Sequence, residues 1–451
     1  MLLARANWLV LRLNDGVLML PHLRLEVPPL SARVSPATIA STLARLIASG
    51  CATTKADLVR TTGLARTTVD TGLRALFELG AIRLQGFRAS IGRGRPAEVI
   101  EIDPSFGVVV VLDFTAHNVR ISIADLGQQI HSQNDVGVSF CDGPAAVLDD
   151  ILARTDQMLE AAGLEERYRM TVVGMPGPVA SREGSVVRPP IMPGWDGFPI
   201  AERVRDVLGG GVLLVNDVNL RALGEARAIG ATGSMIYVKA GTGIGAGIID
   251  VEGRLVNGAD GAAGDIGHIR QQGSSEICGC GGEGCLEGSA SVTALVARAK
   301  PFVGDGPDAT ARFLSLLHDR DSRCVELVGE SAAAIGEVLS MLVHVVNPAR
   351  IVVGGALDEA SDDLLAGIRQ VVYSRALPLA TRNLTISHAA LGREAGTAGG
   401  LVLGIEHAFD ADRLDELLER RARALRLASH HPPAIREVRP IQAQRELVAS
   451  R

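Results

Sequence analysis

Aromatic residues make up only 3% of this 451-residue chain, so large stacking surfaces are few. Cysteine is sparse too: three of the six lie between residues 278 and 285, and Cys51, Cys141 and Cys324 are scattered. That distribution makes no disulfide framework and points to a reducing cytoplasm. Long apolar runs are missing. Within residues 1–30, Arg5, Arg12, Asp15, Arg24 and Glu26 break every stretch before it reaches bilayer length, and no small-residue cleavage pattern follows. No membrane partner is therefore expected. The leader reads either as a poorly ordered extension or as the product of an upstream start codon, with Met19 as the true first residue.

What the chain does contain is 47% hydrophobic residues, 51 glycines and 21% charged residues, the composition of a turn-rich α/β protein. Its length suggests about three units. The net charge of −6 is unevenly spread, because residues 31–102 carry ten Lys or Arg against five Asp or Glu. A basic module on an acidic body suggests a polyanion partner for that module alone. A solvated basic face gives the same count.

Within the basic module, Thr54 caps a short helix that begins at Lys55, with Asp57 near its positive end and Thr62-Gly63 at its close. Val69, Leu73 and Leu76 then share one face of a second helix over 65–79, which Gly80 ends. Two short helices joined by a glycine-containing turn make a helix-turn-helix. Strand candidates over 81–84 and 99–102 flank Gly92-Arg93-Gly94-Arg95-Pro96, a basic tip that fits the wing of a winged helix. Arg66, Thr67, Thr68 and Thr71, at the exposed front of the second helix, suit major-groove edges. Lys55, Arg93 and Arg95 are better placed for phosphates or a minor groove. Small helical hairpins also serve as dimerisation modules. One defect is visible: Ala65 occupies the N-cap where Ser or Thr would satisfy a free amide.

The body reads as a hairpin over 108–124, a helix over 142–159, a buried strand over 170–173 and a strand over 212–215. The last of these delivers Asn216 and Asp217 at its carboxyl end, where α/β folds place ligand groups. An Asx turn or helix cap explains the same dipeptide. A further strand, 236–239, feeds the glycine loop 241–247, whose amides suit a phosphate or a hydroxylated ligand. Residues 351–356 form a third strand-to-glycine turn.

His268, Cys278, Cys280 and Cys285 fall within 18 glycine-rich residues. Three thiols and one imidazole in a tetrahedral set suit zinc. Four protein ligands leave no open position, so such a site is structural. The alternative is a group of buried thiols beside a loop histidine. A metal clamp also fixes Asp265, on the same turn as His268, and Glu287, two residues after the last cysteine. That rim suits a polyhydroxyl ligand.

With these pieces in order, the chain resembles the ROK family, named for repressors, open reading frames and kinases, from about Thr54 to Gly404. The most specific match is Gly264-Asp265-Ile266-Gly267-His268, followed by Cys278-Gly279-Cys280-Gly281 and Gly284-Cys285-Leu286-Glu287. The resemblance implies an α/β protein: an N-terminal winged helix-turn-helix, then a two-lobed actin-like, sugar-kinase-like (ribonuclease H-like) ATPase fold. It implies a structural zinc on His268, Cys278, Cys280 and Cys285. It also implies a sugar site between the lobes, contacted by Asn216, Asp217, Asp265, His268 and Glu287. The head looks like that of the family's transcriptional regulators, and the family's kinases lack it.

Two departures bear on activity. Family kinases follow an acidic residue with a Gly-Gly-Thr turn around the ATP phosphates, whereas this chain has Asp113-Phe114-Thr115-Ala116-His117. Side chains at Thr115 and Ala116 disfavour a tight grip on ATP. Asp217 matches the kinases' general base, yet a base without a held phosphoryl donor has nothing to catalyse. Asp265 replaces the family's usual Glu and is one methylene shorter, which bears on ligand choice.

The expected organisation is a poorly ordered leader over 1–34, the winged head over 35–102, a first lobe over 105–225, and a second lobe over 226–409. The second lobe carries the zinc loop and a returning C-terminal helix. A basic helix and tail over 410–451 receive no role. The expected function is a cytoplasmic, sugar-responsive regulator of carbohydrate genes, a repressor without catalysis, acting as a homodimer or homotetramer. Its partners are double-stranded operator DNA and a sugar or sugar phosphate. The rivals are a glucokinase-like sugar kinase with an added DNA-binding module, and a scaffold that has lost DNA binding.

Overall fold

The computed structural model describes residues 20–30, 35–88, 96–164, 167–230 and 233–430. The wing-tip residues Arg93 and Arg95, the leader positions 1–19 and 31–34, and the tail 431–451 lie outside the described residues.

The head has one helix more than the sequence suggested. Pro36–Ala48 starts from Ser35, whose side chain accepts from the Thr38 amide, and Pro36 stands where a helix needs no amide donor. Lys55–Thr62 and Arg66–Leu79 follow, ending on Gly63 and Gly80 in the left-handed region (φ 67° and 74°). Ala65 supplies no side-chain cap. Strands Ile82–Arg88 and Ala97–Ile102 pair antiparallel to form the wing's base. Leu43, Val69, Leu73 and Leu76 share the core beneath.

The first lobe is a five-stranded sheet in the order Ile130–Gly137, Asn118–Asp125, Gly107–Phe114, Tyr168–Met175, Gly211–Asn216. All eight residues of Gly107–Phe114 are buried because both faces of that strand are covered. Val108, Val110 and Leu112 face Leu148, Ile151 and Val204 on the outer helices, while Val109 and Val111 face the helix Ala395–Ala408. The second lobe is a four-stranded sheet in the order Ile244–Ile249, Met235–Ala240, Arg350–Gly354, Thr385–His388. Its outer face packs on Ser322–Val346, a helix long and apolar enough for a membrane span. Cys324, Val328, Ile335 and Leu339 nevertheless bury one side of that helix in the lobe core. The inner face packs on Asp217–Ala228.

Each lobe thus lends a helix to the other's sheet, and Asp217–Ala228 and Ala395–Ala408 form a two-helix layer between the sheets. They cross where Gly224 meets Ala395 O and Gly399 meets Leu220 O, so closely that a Cβ at either position would overlap the facing backbone. The 225/226 lobe boundary expected from sequence therefore cuts through one continuous helix.

Two peripheral segments depart from expectation. Residues 20–30 are not a loose leader: Leu23 is fully buried and Leu25 nearly so. Gln128, in the left-handed region at φ 74°, grips this strap by accepting from Leu23 N (2.8 Å) and donating to Leu23 O (2.9 Å). Apolar Leu23 and Leu25 make the difference, since they join the hydrophobic cluster that runs from the head into the first lobe. The basic C-terminal helix, Ala411–His430, packs on the head helix Pro36–Ala48 and buries Leu414. It belongs structurally to the head. Gly399→Ala is expected to lower stability by about 1–3 kcal/mol through overpacking at the helix crossing, as read from urea unfolding.

Candidate functional site between the lobes

The two-helix layer leaves a cleft of about 430 Å³ between the lobes. From the first lobe, the strand Gly211–Asn216 runs straight into the helix that begins at Asp217. Asn216 Oδ1 accepts from the amides of Val218 (2.9 Å) and Asn219 (3.1 Å), and its Nδ2 donates to Gly177 O (2.9 Å). The helix-cap role open at sequence level is therefore present, and the residue still lines the cleft. Asp217 is 2% exposed, and Lys239 Nζ lies 2.5 Å from its carboxylate. From the second lobe, Glu287 Oε2 accepts from Ile244 N (2.9 Å). Gly243 is bare of side chain because a Cβ there would press on that carboxylate. Asp265 and His268 stand on one short 3₁₀ turn, with Oδ1 and Nε2 3.9 Å apart. All five expected sugar contacts, Asn216, Asp217, Asp265, His268 and Glu287, line this one cleft.

The ligand atoms of His268, Cys278, Cys280 and Cys285 all lie within 4.8 Å of one another. Cys280 Sγ and Cys285 Sγ are 3.8 Å apart, and His268 Nδ1 is 3.7 Å from Cys278 Sγ. A tetrahedral zinc with Zn–S of about 2.3 Å has sulfur–sulfur edges of about 3.8 Å, so the donor set matches that ion's size. Burial pushes the Cys278 thiol up to about 12 and raises Cys285 as well, while the Gly282 amide lowers Cys280. Three neighbouring thiolates need a cation to offset their charge. Ligation through Nδ1 leaves His268 Nε2 for the cleft. At the cleft mouth, Gly279 of this loop faces Pro190 of the first lobe.

A second hollow of about 240 Å³ adjoins the cleft and shares Ala116, His117, Lys239 and Thr242 with it. Its cations are already engaged. Arg221 Nη2 lies 2.8 Å from Asp113, Arg120 pairs with Asp135 and Glu394, and Arg393 pairs with Asp135. Burial pushes the Asp113 carboxyl up, and Arg221 opposes that rise. Burial works against charge on Arg221 too, but Asp113 together with Tyr237, Asp217 and Glu359 outweighs it and holds the guanidinium protonated. Sequence reasoning missed Arg221 and Lys239. Arg221 was findable as the residue one turn after Asp217 on the same helix face, whereas Lys239 looked like an ordinary strand end.

On the head, Arg66, Thr67 and Thr71 are exposed at the front of their helix, and Thr68 is half-buried. Thr71 donates its hydroxyl to Thr67 O (3.0 Å). Lys55 pairs with Asp70 and so ties the two helices together. Arg74, exposed one turn beyond Thr71, extends the same face and was also missed.

Residues 109–407 match the ROK family. Among curated relatives, the chain is 24% identical over 357 residues to a xylose repressor of Caldicellulosiruptor bescii, covering 76% of this chain and 89% of that one. It is 27% identical over 312 residues to a glucokinase of Halalkalibacterium halodurans, covering 64% of this chain and 93% of the kinase. Among solved structures, a ROK family transcriptional regulator described as a homologue of Escherichia coli Mlc superposes with a TM-score of 0.69. It has 21% identity and covers 85% of this chain and 99% of that one.

The donor geometry generates a metal test: one zinc per chain by elemental analysis of reduced protein. Cys280→Ser is expected to lower melting temperature and sugar affinity together, because the rim carrying His268 and Asp265 loses its anchor.

Proposed function

This chain belongs to the ROK family, and on that premise we propose that it is a sugar-responsive, DNA-binding transcriptional regulator, a repressor of carbohydrate genes. The observation that carries this function is the winged head joined to a cleft rimmed by three carboxylates, an imidazole and an amide. Such a rim offers the convergent donors and acceptors that sugar hydroxyls need. A sugar or sugar phosphate bound there by Asn216, Asp217, Asp265, His268 and Glu287 would favour one spacing of the lobes over another. Differential affinity of about 1–3 kcal/mol alters operator affinity roughly 5- to 150-fold. Zinc on His268 and the three cysteines stiffens the rim and takes no part in chemistry.

Two recognition helices are needed to read paired half-sites about 34 Å apart, so the working form is a homodimer or a pair of dimers. Arg66, Thr67 and Thr71 face the major groove, while Arg93 and Arg95 belong to the phosphate or minor-groove contacts. A reducing cytoplasm is the matching compartment.

Catalysis is not part of this function. By resemblance, Thr115 and Ala116 replace the glycines that wrap ATP phosphates in the family's kinases, while Arg221 claims Asp113 and Lys239 claims Asp217. A phosphate entering the second hollow has to compete with carboxylates for every cation there. The kinase alternative draws on Asp217 and the glycine loop 241–247. A coupled assay with ATP and a panel of hexoses separates the two: turnover far below the roughly 1–100 s⁻¹ of kinases is expected, and turnover within that range overturns the regulator function. In gel shifts on DNA upstream of its own gene, Arg66→Ala is expected to weaken specific binding by about 1–3 kcal/mol.

A further inference from the structure

The helix Asp217–Ala228 has a second end. Its first turn carries Asp217 and Asn219 in the cleft, and its last turn carries Arg227, about 15 Å from Asp217 along a 12-residue rod. Every residue of that rod is buried. Polar ties mark each turn between: Arg221 to Asp113 in the first lobe, and Glu225 accepting from the amides of Ala390 and Leu391 in the loop before Ala395–Ala408. Fixed on all sides, the helix moves as a unit with whatever moves its first turn.

At the far end Arg227 lies 3.2 Å from Glu406 and 3.8 Å from Glu26 of the strap. The strap amide of Glu26 donates to Glu406 Oε1 (2.5 Å), and the amide of Arg24 donates to Arg227 O (3.3 Å). Arg45 of the head helix Pro36–Ala48 closes the set, donating to Glu26 O (2.9 Å) and Glu406 O (2.6 Å). One cluster therefore touches the effector helix, the helix that crosses it, the strap and the head. Burial weakens the charged forms of both Arg45 and Glu406. Among the described residues the buried Nε atoms of Arg45 and Arg227 have no hydrogen-bond partners, which leaves donors for a second arrangement. Gln128 adds a separate tie, from the first-lobe hairpin to Leu23 and to Ala48 O at the end of the same head helix.

We propose that the strap 20–30 and the buried cluster Arg45, Arg227 and Glu406 form the joint through which occupancy of the cleft repositions the DNA-binding head. The joint rests on the regulator function proposed above. These residues contact neither sugar nor DNA; they are positioning residues, and the quantity they set is the ratio of operator affinities without and with sugar.

The test uses full-length protein and a duplex from the DNA upstream of its own gene, titrated by fluorescence anisotropy. The sugar is whichever of D-glucose, D-xylose and N-acetyl-D-glucosamine raises the melting temperature. Wild type is expected to show a ratio of about 5 to 150, whereas Glu406→Gln and Gln128→Ala bring it to within about twofold of unity with sugar affinity unchanged. If Glu406→Gln does not fold, Gln128→Ala loosens the same joint from outside the charged cluster and decides alone. Wild-type ratios in both variants overturn the joint, and so does a loss of sugar affinity equal to the loss of response. A wild-type protein whose operator affinity ignores a bound sugar removes the regulator function itself, an outcome visible before any variant is made.

Discussion

Everything in the body hangs on the close crossing of Asp217–Ala228 and Ala395–Ala408. Because Gly224 and Gly399 let backbone touch backbone, each helix covers the inner sheet of one lobe while leaning on the other. The lobes cannot shift without that crossing adjusting, and the cleft opens at one end of it. Packed interiors respond to such a displacement by moving whole elements, since close-packed side chains leave little room for local give.

Much of this was legible in residue order. Two of the head helices, the wing strands and the metal set announce themselves through short-range rules: caps, left-handed glycines and ligand spacing. Asn216 and Asp217 were legible too, because a strand running into a helix is a local event. What escaped notice depends on distant partners. Nothing around Lys239 says that its ammonium meets Asp217, and nothing around Arg221 names Asp113, since those pairs join separate strands and helices. The strap escaped for a different reason. Its arginine and glutamate interrupt the apolar pattern and read as solvation, yet Glu26 reaches buried Arg227 while Leu23 and Leu25 fill the core. The helix Pro36–Ala48 was passed over, although Ser35 and Pro36 mark its start.

Under the proposed regulator function, the cleft would be a site of kinase-like layout turned to sensing. Asp113 and Asp217 are both present, buried and correctly placed at strand ends, but each is held by a cation from the protein itself. A buried carboxylate with a fixed counter-charge is costly to disturb. Its remaining lone pairs still suit a hydroxyl. On the proposed function, the same atoms that would drive transfer in a kinase would serve recognition here.

The strap and the C-terminal helix give the head three separate attachments to the rest of the molecule, through Gln128, through Glu406 and through Leu414. Modular swapping, in which a DNA reader is cut at its linker and grafted onto a foreign sensor, would sever all three in this protein. A working hybrid would have to transplant sequence from both ends of the polypeptide together with the hairpin that receives it.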